Sequence, residues 1–264
     1  MHFLILRKLR NAIFRKLASL WWSKMNSKGG IIIIGSLLWD NADRSEWRRS
    51  SLNALETKAP VSVNIRYGRE SGKLRCHTYT MIFSNHPTTR LGQGYIVGLR
   101  QNIESGKMLK EQAIALAKAE GIWTKERPFL GRDWGAVGLL VNENRSSADW
   151  IKSNWMQVFQ DNRCEQSPCQ FDHAQYSIGE HNELPVIDKD GFLHIDWMPE
   201  MDDFDFLIAT PTVPKPKTAL TAREIAEKMN RENYRIYFDN NRALNITTFQ
   251  DHEILEFLNG GRWA

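Results

Sequence analysis

Residues suited to chemistry fall in three stretches of the chain. The first is Ile31-Ile32-Ile33-Ile34-Gly35-Ser36-Leu37-Leu38-Trp39-Asp40. Four β-branched residues in a row read as a short strand buried on both faces. The Gly-Ser pair that follows lets the backbone turn sharply and expose its N–H groups. Such a loop can aim backbone donors at an anionic or carbonyl oxygen, although a core strand with an ordinary turn reads the same way. The second is Glu120-Gly121, where a glycine suited to stopping a helix leaves a carboxylate against the negative end of the helix dipole. A local conflict of that kind is tolerated at working sites, and also by a solvated glutamate. The third is Arg66 and Arg69 around Tyr67-Gly68, where a guanidinium can grip a carboxylate with two parallel hydrogen bonds unless it simply lies in water at a strand end. Glu104, Glu111 and Glu126 are rival carboxylates, and Glu126, in a loop near Pro128, is the strongest of them.

Other chemistries find less support. Cys164, Cys169, His173 and His181 have spacings that match no standard zinc pattern, so a polar loop is expected there and no metal site. The three cysteines are an odd count with no disulfide framework, which suits a reducing cytoplasm. Neither a G-x-G-x-x-G, a Walker A nor a G-x-S-x-G sequence occurs, which argues against nucleotide-cofactor enzymes and α/β-hydrolases. The net charge of +4 is concentrated in residues 1–30, which hold seven basic and no acidic residues, so the rest of the chain is mildly acidic and nucleic-acid binding is not expected. Ten tryptophans, several near loops, suit core packing and an aromatic-lined cleft.

The elements that must position these residues follow from the periodicity. Residues 1–22 form a basic amphipathic pattern, too interrupted by charge to span a membrane. A membrane-surface role is conceivable for it, but a dispensable extension over residues 1–25, with Met25 as an alternative start, is the favoured reading. Residues 26–264 are expected to form a single domain. A helix is expected over 43–56, strands over 61–65, 78–83 and 92–99, and a helix over 108–120 with Leu109, Ala113, Leu116 and Ala117 inward. A strand over 134–141, a helix over 148–160 and a long polar insertion over 161–183 follow. Strands over 192–197, 206–209 and 234–238 complete the β content, with Pro211, Pro214 and Pro216 in a stiff connector. Thr221 and Glu224 form a capping box, and a last helix runs over 249–258. Without regular βα alternation, the expected class is α+β: a curved mixed sheet or small barrel with flanking helices.

Gly35-Ser36-Leu37-Leu38-Trp39 after a hydrophobic strand, with Glu120-Gly121 after a later helix, resembles the gamma-glutamylcyclotransferase-like superfamily. That group opens with a strand and a Tyr-Gly-Ser loop, and its catalytic carboxylate comes from a downstream glutamate followed by glycine. The likeness covers residues 31–141, with Ile34 where the family has its aromatic residue. It implies a γ-glutamyl substrate that cyclises to 5-oxoproline and releases an amine. Glu120 is then the general acid and base, and Gly35, Ser36, Leu37 and Leu38 bind the substrate; Arg66, from its own position at a strand end and not from the resemblance, is the further candidate to pair with the substrate carboxylate. The implied chemistry needs neither a metal nor an organic cofactor. The same fold without turnover, as a small-molecule-binding or regulatory module, is the alternative.

Overall fold

Ile31, Ile32 and Ile33 form the heart of strand β1 (Gly29–Ile33), whose five residues are all buried. The computed structural model describes residues 26–41 and 43–260, so the amphipathic extension expected over residues 1–25 lies outside it. Strands β2 (Ala59–Glu70), β3 (Tyr79–Phe83), β4 (Leu91–Gly98), β5 (Gly138–Val141) and β6 (Phe206–Ala209) complete a six-stranded sheet in the order β3-β2-β4-β1-β6-β5. β1 is antiparallel to β4 on one side and parallel to β6 on the other, with Ile32 opposite Ile96 and Gly30 opposite Leu207. The sheet curls into a half-barrel, and the class is mixed α+β. Strands pair with both edges of β1, and all five of its residues are buried, so side chains of either face meet apolar packing and the strand reads as an uninterrupted apolar run.

Six α-helices flank the sheet among the described residues: α1 (Asp43–Ser51), α2 (Gly106–Ala119), α3 (Ala148–Gln160), α4 (Ala222–Arg231), α5 (Ile236–Ala243) and α6 (Asp251–Leu258). α2 buries Leu109, Ala113, Leu116 and Ala117, and Ser105 caps its start by accepting from the Met108 N–H. α3 buries Ile151, Trp155, Val158 and Phe159. The Thr221–Glu224 capping box opens α4 as its pattern requires. One apolar cluster runs continuously from Ile31 to Ile254. No helix among the described residues is long and apolar enough to cross a membrane.

The local structure departs from the sequence expectation in several places, among them the strand expected over 134–141, which forms only over Gly138–Val141. The helix after the Gly-Ser loop stops at Ser51, because the Asn53 N–H leaves the helical ladder to bond the Gly98 carbonyl at the end of β4. β2 continues through Arg66-Tyr67 to Glu70, with an irregular register between Tyr67 and Arg69 that takes up Gly68. Residues 192–197 are no strand and make single bridges only, Phe192 to Leu139 and Leu193 to Ile187. Residues 234–238 run into helix α5, which turns Tyr237, Phe238 and Asn241 inward and leaves Ile236 exposed. The polar segment after α3 differs too: Cys164 and Cys169 are buried and joined in a disulfide, and Cys76 is the free thiol.

Candidate active site

Parallel neighbours β1 and β6 end at the same edge of the sheet, while β4 runs the other way beside β1. The loops that leave two parallel strands at such an edge open a crevice, a common ligand position in mixed sheets. Here the crevice is a cleft of about 660 Å³. Its walls are the loop after β1, the start of α1, the β2–β3 hairpin, Glu120 at the end of α2, Trp134, Thr210 and Thr212 after β6, and Tyr234 and Tyr237.

The Gly-Ser loop is a tight turn. N–H groups of Leu38, Trp39 and Asp40 fold back onto the carbonyls of Gly35 and Ser36. Those of Gly35, Ser36 and Leu37 have no hydrogen-bond partner among the described residues. Two arginines one helical turn apart on α1 hold this turn from below. Arg48 donates to the carbonyls of Leu37 and Asp40 at 2.6 and 2.8 Å, and burial lowers its pKa. Arg44 donates to Ser36 Oγ at 2.7 Å and to Asp40 Oδ2 at 2.8 Å. Glycine at position 35 leaves room for Tyr237: a Cβ there would lie 2.5 Å from the Tyr237 hydroxyl, so one of the two would have to move.

Glu120 comes to the same place from the other end of α2. Gly121, at φ +72°, terminates the helix, with Gly121 N–H bonded to the Lys118 carbonyl and Ile122 N–H to that of Ala117. This is the Schellman arrangement, in which a left-handed residue after the helix satisfies its last carbonyls. The carboxylate is about one-fifth exposed and has a donor on each oxygen, Arg44 at 2.9 Å and Thr210 Oγ1 at 3.2 Å. Arg44 also donates to the Ala119 carbonyl, so its cation offsets both the carboxylate and the dipole at this helix end. One guanidinium therefore touches Ser36, Asp40, Glu120 and the end of α2.

The remaining charge in the cleft is cationic. Arg75, from the β2–β3 hairpin, donates to Ser36 Oγ at 2.8 Å and lies over the Tyr237 ring at 5.1 Å. Arg69 stacks on Trp134 at 4.5 Å and donates to its carbonyl, and burial lowers its pKa. Burial raises the pKa of Tyr237, whose hydroxyl accepts the Met81 N–H.

Of the residues singled out in the sequence, Gly35, Ser36, Leu37 and Glu120 line one cleft. Leu38 does not: it is buried in the core behind the turn. Arg66 is absent from the cleft as well, because β2 carries on past it and leaves it 2% exposed in mid-strand. Its guanidinium donates to Thr88 Oγ1 and the Leu220 carbonyl, and Arg69 reaches the cleft in its stead. Glu104, Glu111 and Glu126 are exposed and lie outside it. Sequence reasoning missed Arg44, Arg75, Thr210 and Tyr237. For Arg44 a signal existed, since Arg44 and Arg48 stand four apart directly after the Gly-Ser turn. Compared with family models, curated proteins and solved structures, the chain has no match.

Proposed function

We propose that the protein is a gamma-glutamylcyclotransferase-like enzyme, its half-barrel a variant of that family's fold, which releases 5-oxoproline from a γ-glutamyl amine or peptide. The observation that carries this reading is the meeting of Glu120 with the Gly35–Ser36 turn in one cleft, bridged by Arg44.

The chemistry follows from the groups at hand. A γ-glutamyl substrate brings a carboxylate, an α-amine and a γ-carbonyl. Arg75 and Arg69 receive the carboxylate. The γ-carbonyl oxygen points at the N–H groups of Gly35, Ser36 and Leu37, which stabilise negative charge as it builds there. Glu120 takes a proton from the α-ammonium group. The freed amine attacks the γ-carbon, a C–N bond closes the five-membered ring, and the original γ-amide C–N bond breaks. Glu120 returns that proton to the departing nitrogen and then carries the second proton, which the ring nitrogen loses, to the same amine; the amine leaves as an ammonium, so the protons balance with no other reactant. Because both reacting groups belong to one molecule, holding it folded supplies much of the rate.

The test is 5-oxoproline release from a panel of γ-glutamyl compounds by the full chain and by Glu120→Gln. The variant is expected to lose about 10²–10⁴-fold in rate. Absence of release from every compound overturns the proposal, and release undiminished in Glu120→Gln overturns the assigned base. One observation favours a second reading, a binding module without turnover: both oxygens of Glu120 already have donors. Calorimetric binding of γ-glutamyl compounds with no product formed would select that reading.

A further inference from the structure

A second cluster lies away from the cleft, where the β3–β4 connection meets the loop over residues 178–183. His86 is buried, and its Nε2 is shielded from solvent without a hydrogen-bond partner. Glu180 Oε2 stands 3.3 Å from that nitrogen, longer than the usual charged hydrogen bond. The His181 ring meets the His86 ring edge-on at 5.4 Å between centroids. One ligand atom from each of the three residues can be chosen so that all lie within 4.8 Å of one another.

We propose that His86, Glu180 and His181 bind a zinc-like divalent cation. Zinc bonds to imidazole nitrogen and carboxylate oxygen are about 2.0–2.1 Å, and a tetrahedron of that size separates its ligand atoms by about 3.3–3.4 Å. The His86–Glu180 pair already has that separation. His181 is exposed, so its ring can close the remaining gap by side-chain rotation. Two imidazoles and one carboxylate suit zinc, cobalt or nickel over calcium or magnesium, and three protein ligands leave a fourth position for water.

The surroundings are built to hold the three groups. Ser84 Oγ accepts the His86 N–H at 3.1 Å and donates to Glu183 Oε1 at 3.1 Å. Glu183 Oε2 accepts the Ile178 N–H, and the Glu183 N–H bonds the Glu180 carbonyl, closing the loop that carries Glu180 and His181. Thr88 Oγ1, 2.9 Å from His86 Nδ1, also accepts from Arg66 Nη1 and has a second lone pair that can take a proton from Nδ1, the place a carboxylate, carbonyl or water fills beside metal-bound histidines. The Thr88 N–H at 3.2 Å from Nδ1 favours the proton on Nε2 in the cation-free ring. Binding shifts that proton to Nδ1, where Thr88 Oγ1 accepts it. Glu180 and Glu183 lie close enough to act on the Arg66 cation, and Glu183 and Asp172 on that of Lys217, so cations already offset part of the negative charge and ligand bonds must supply most of the affinity.

The experiment uses the full chain, stripped of metal by a chelator and titrated with Co²⁺. Visible absorption of tetrahedral cobalt is expected to saturate at one equivalent and to be displaced by Zn²⁺. His181→Ala, an exposed change that leaves the core intact, is expected to weaken binding by at least about 100-fold. It should also abolish the Zn²⁺-dependent rise in unfolding temperature. Absence of a cobalt spectrum in the parent overturns the site. So does a titration of His181→Ala that matches the parent, since the cation would then sit at a surface pair such as His77–Glu70 or His252–Glu256.

Discussion

Arg44 gives the sharpest test of how the cleft is held together. Its guanidinium makes bonds of 2.7 Å to Ser36, 2.8 Å to Asp40, 2.9 Å to Glu120 and 3.1 Å to the Ala119 carbonyl. Arg44→Leu removes all four and keeps much of the apolar stem. Hydrogen bonds of this kind contribute about 1 kcal/mol each, and more where a charge is involved. Against that sum stand solvent screening of the partly exposed carboxylates and relief of the repulsion between Arg44 and Arg48. Asp40 retains a cation in Arg75 at 3.6 Å, whereas Glu120 keeps the Thr210 hydroxyl as its hydrogen-bond donor, with Arg69 acting on it electrostatically. The net loss is roughly 2–3 kcal/mol, or about 4–12 °C in unfolding temperature for a chain of this size. Arg44→Lys should fall between, since one ammonium cannot serve four acceptors laid out for a planar fork. Urea unfolding of the parent and both variants reads these values directly. An unfolding free energy for Arg44→Leu within about 0.5 kcal/mol of the parent refutes the claim that this side chain ties the turn to the helix end.

Two further outcomes follow from contacts and charge. Gly35→Ala should destabilise by about 1–3 kcal/mol through its clash with the Tyr237 hydroxyl. Adding Tyr237→Phe should recover most of that loss in a double-mutant cycle, because the next ring atom is 3.5 Å away, an ordinary contact. Burial raises the pKa of Asp251 above its ordinary 3.8, against the pull of its Thr248 hydrogen bonds. The folded state therefore holds this proton more tightly than the unfolded chain. Its contribution is most favourable below the ordinary carboxylate value and declines as pH rises through the raised one. Asp251→Asn should flatten that decline when urea midpoints are compared across acidic to neutral pH.

What could be read from the sequence was whatever rests on local chemistry. Four isoleucines before Gly-Ser specify a buried strand and a turn, and the spacing of Leu109, Ala113, Leu116 and Ala117 specifies a helix that Gly121 must end. Those two signals name opposite walls of one cleft. Residues whose placement depends on distant pairing were not legible. Arg66 sits in polar sequence that suggests a loop, yet β2 pairs through it with β3 as far as Glu70, which turns a strand-end residue into a buried one. Tyr234 to Phe238 has the β-favouring composition of a strand. Tertiary packing overrides that preference, because a helix here brings Tyr237 and Phe238 onto the core together. The disulfide depends on a chain reversal between Cys164 and Cys169 that no spacing rule announces.

The parallel pairing of β1 with β6 has a consequence for synthesis. Gly29 has to wait for Phe206, its partner across that pairing, to leave the ribosome. At ordinary elongation rates of about 5–20 residues per second, the interval is roughly 10–35 s. Throughout it this buried apolar strand presents a bare edge, open to pairing with another nascent chain. Such long-range closure also slows refolding from denaturant. Yield in a cell should therefore respond to translation speed and to chaperone supply more than to the final stability of the half-barrel.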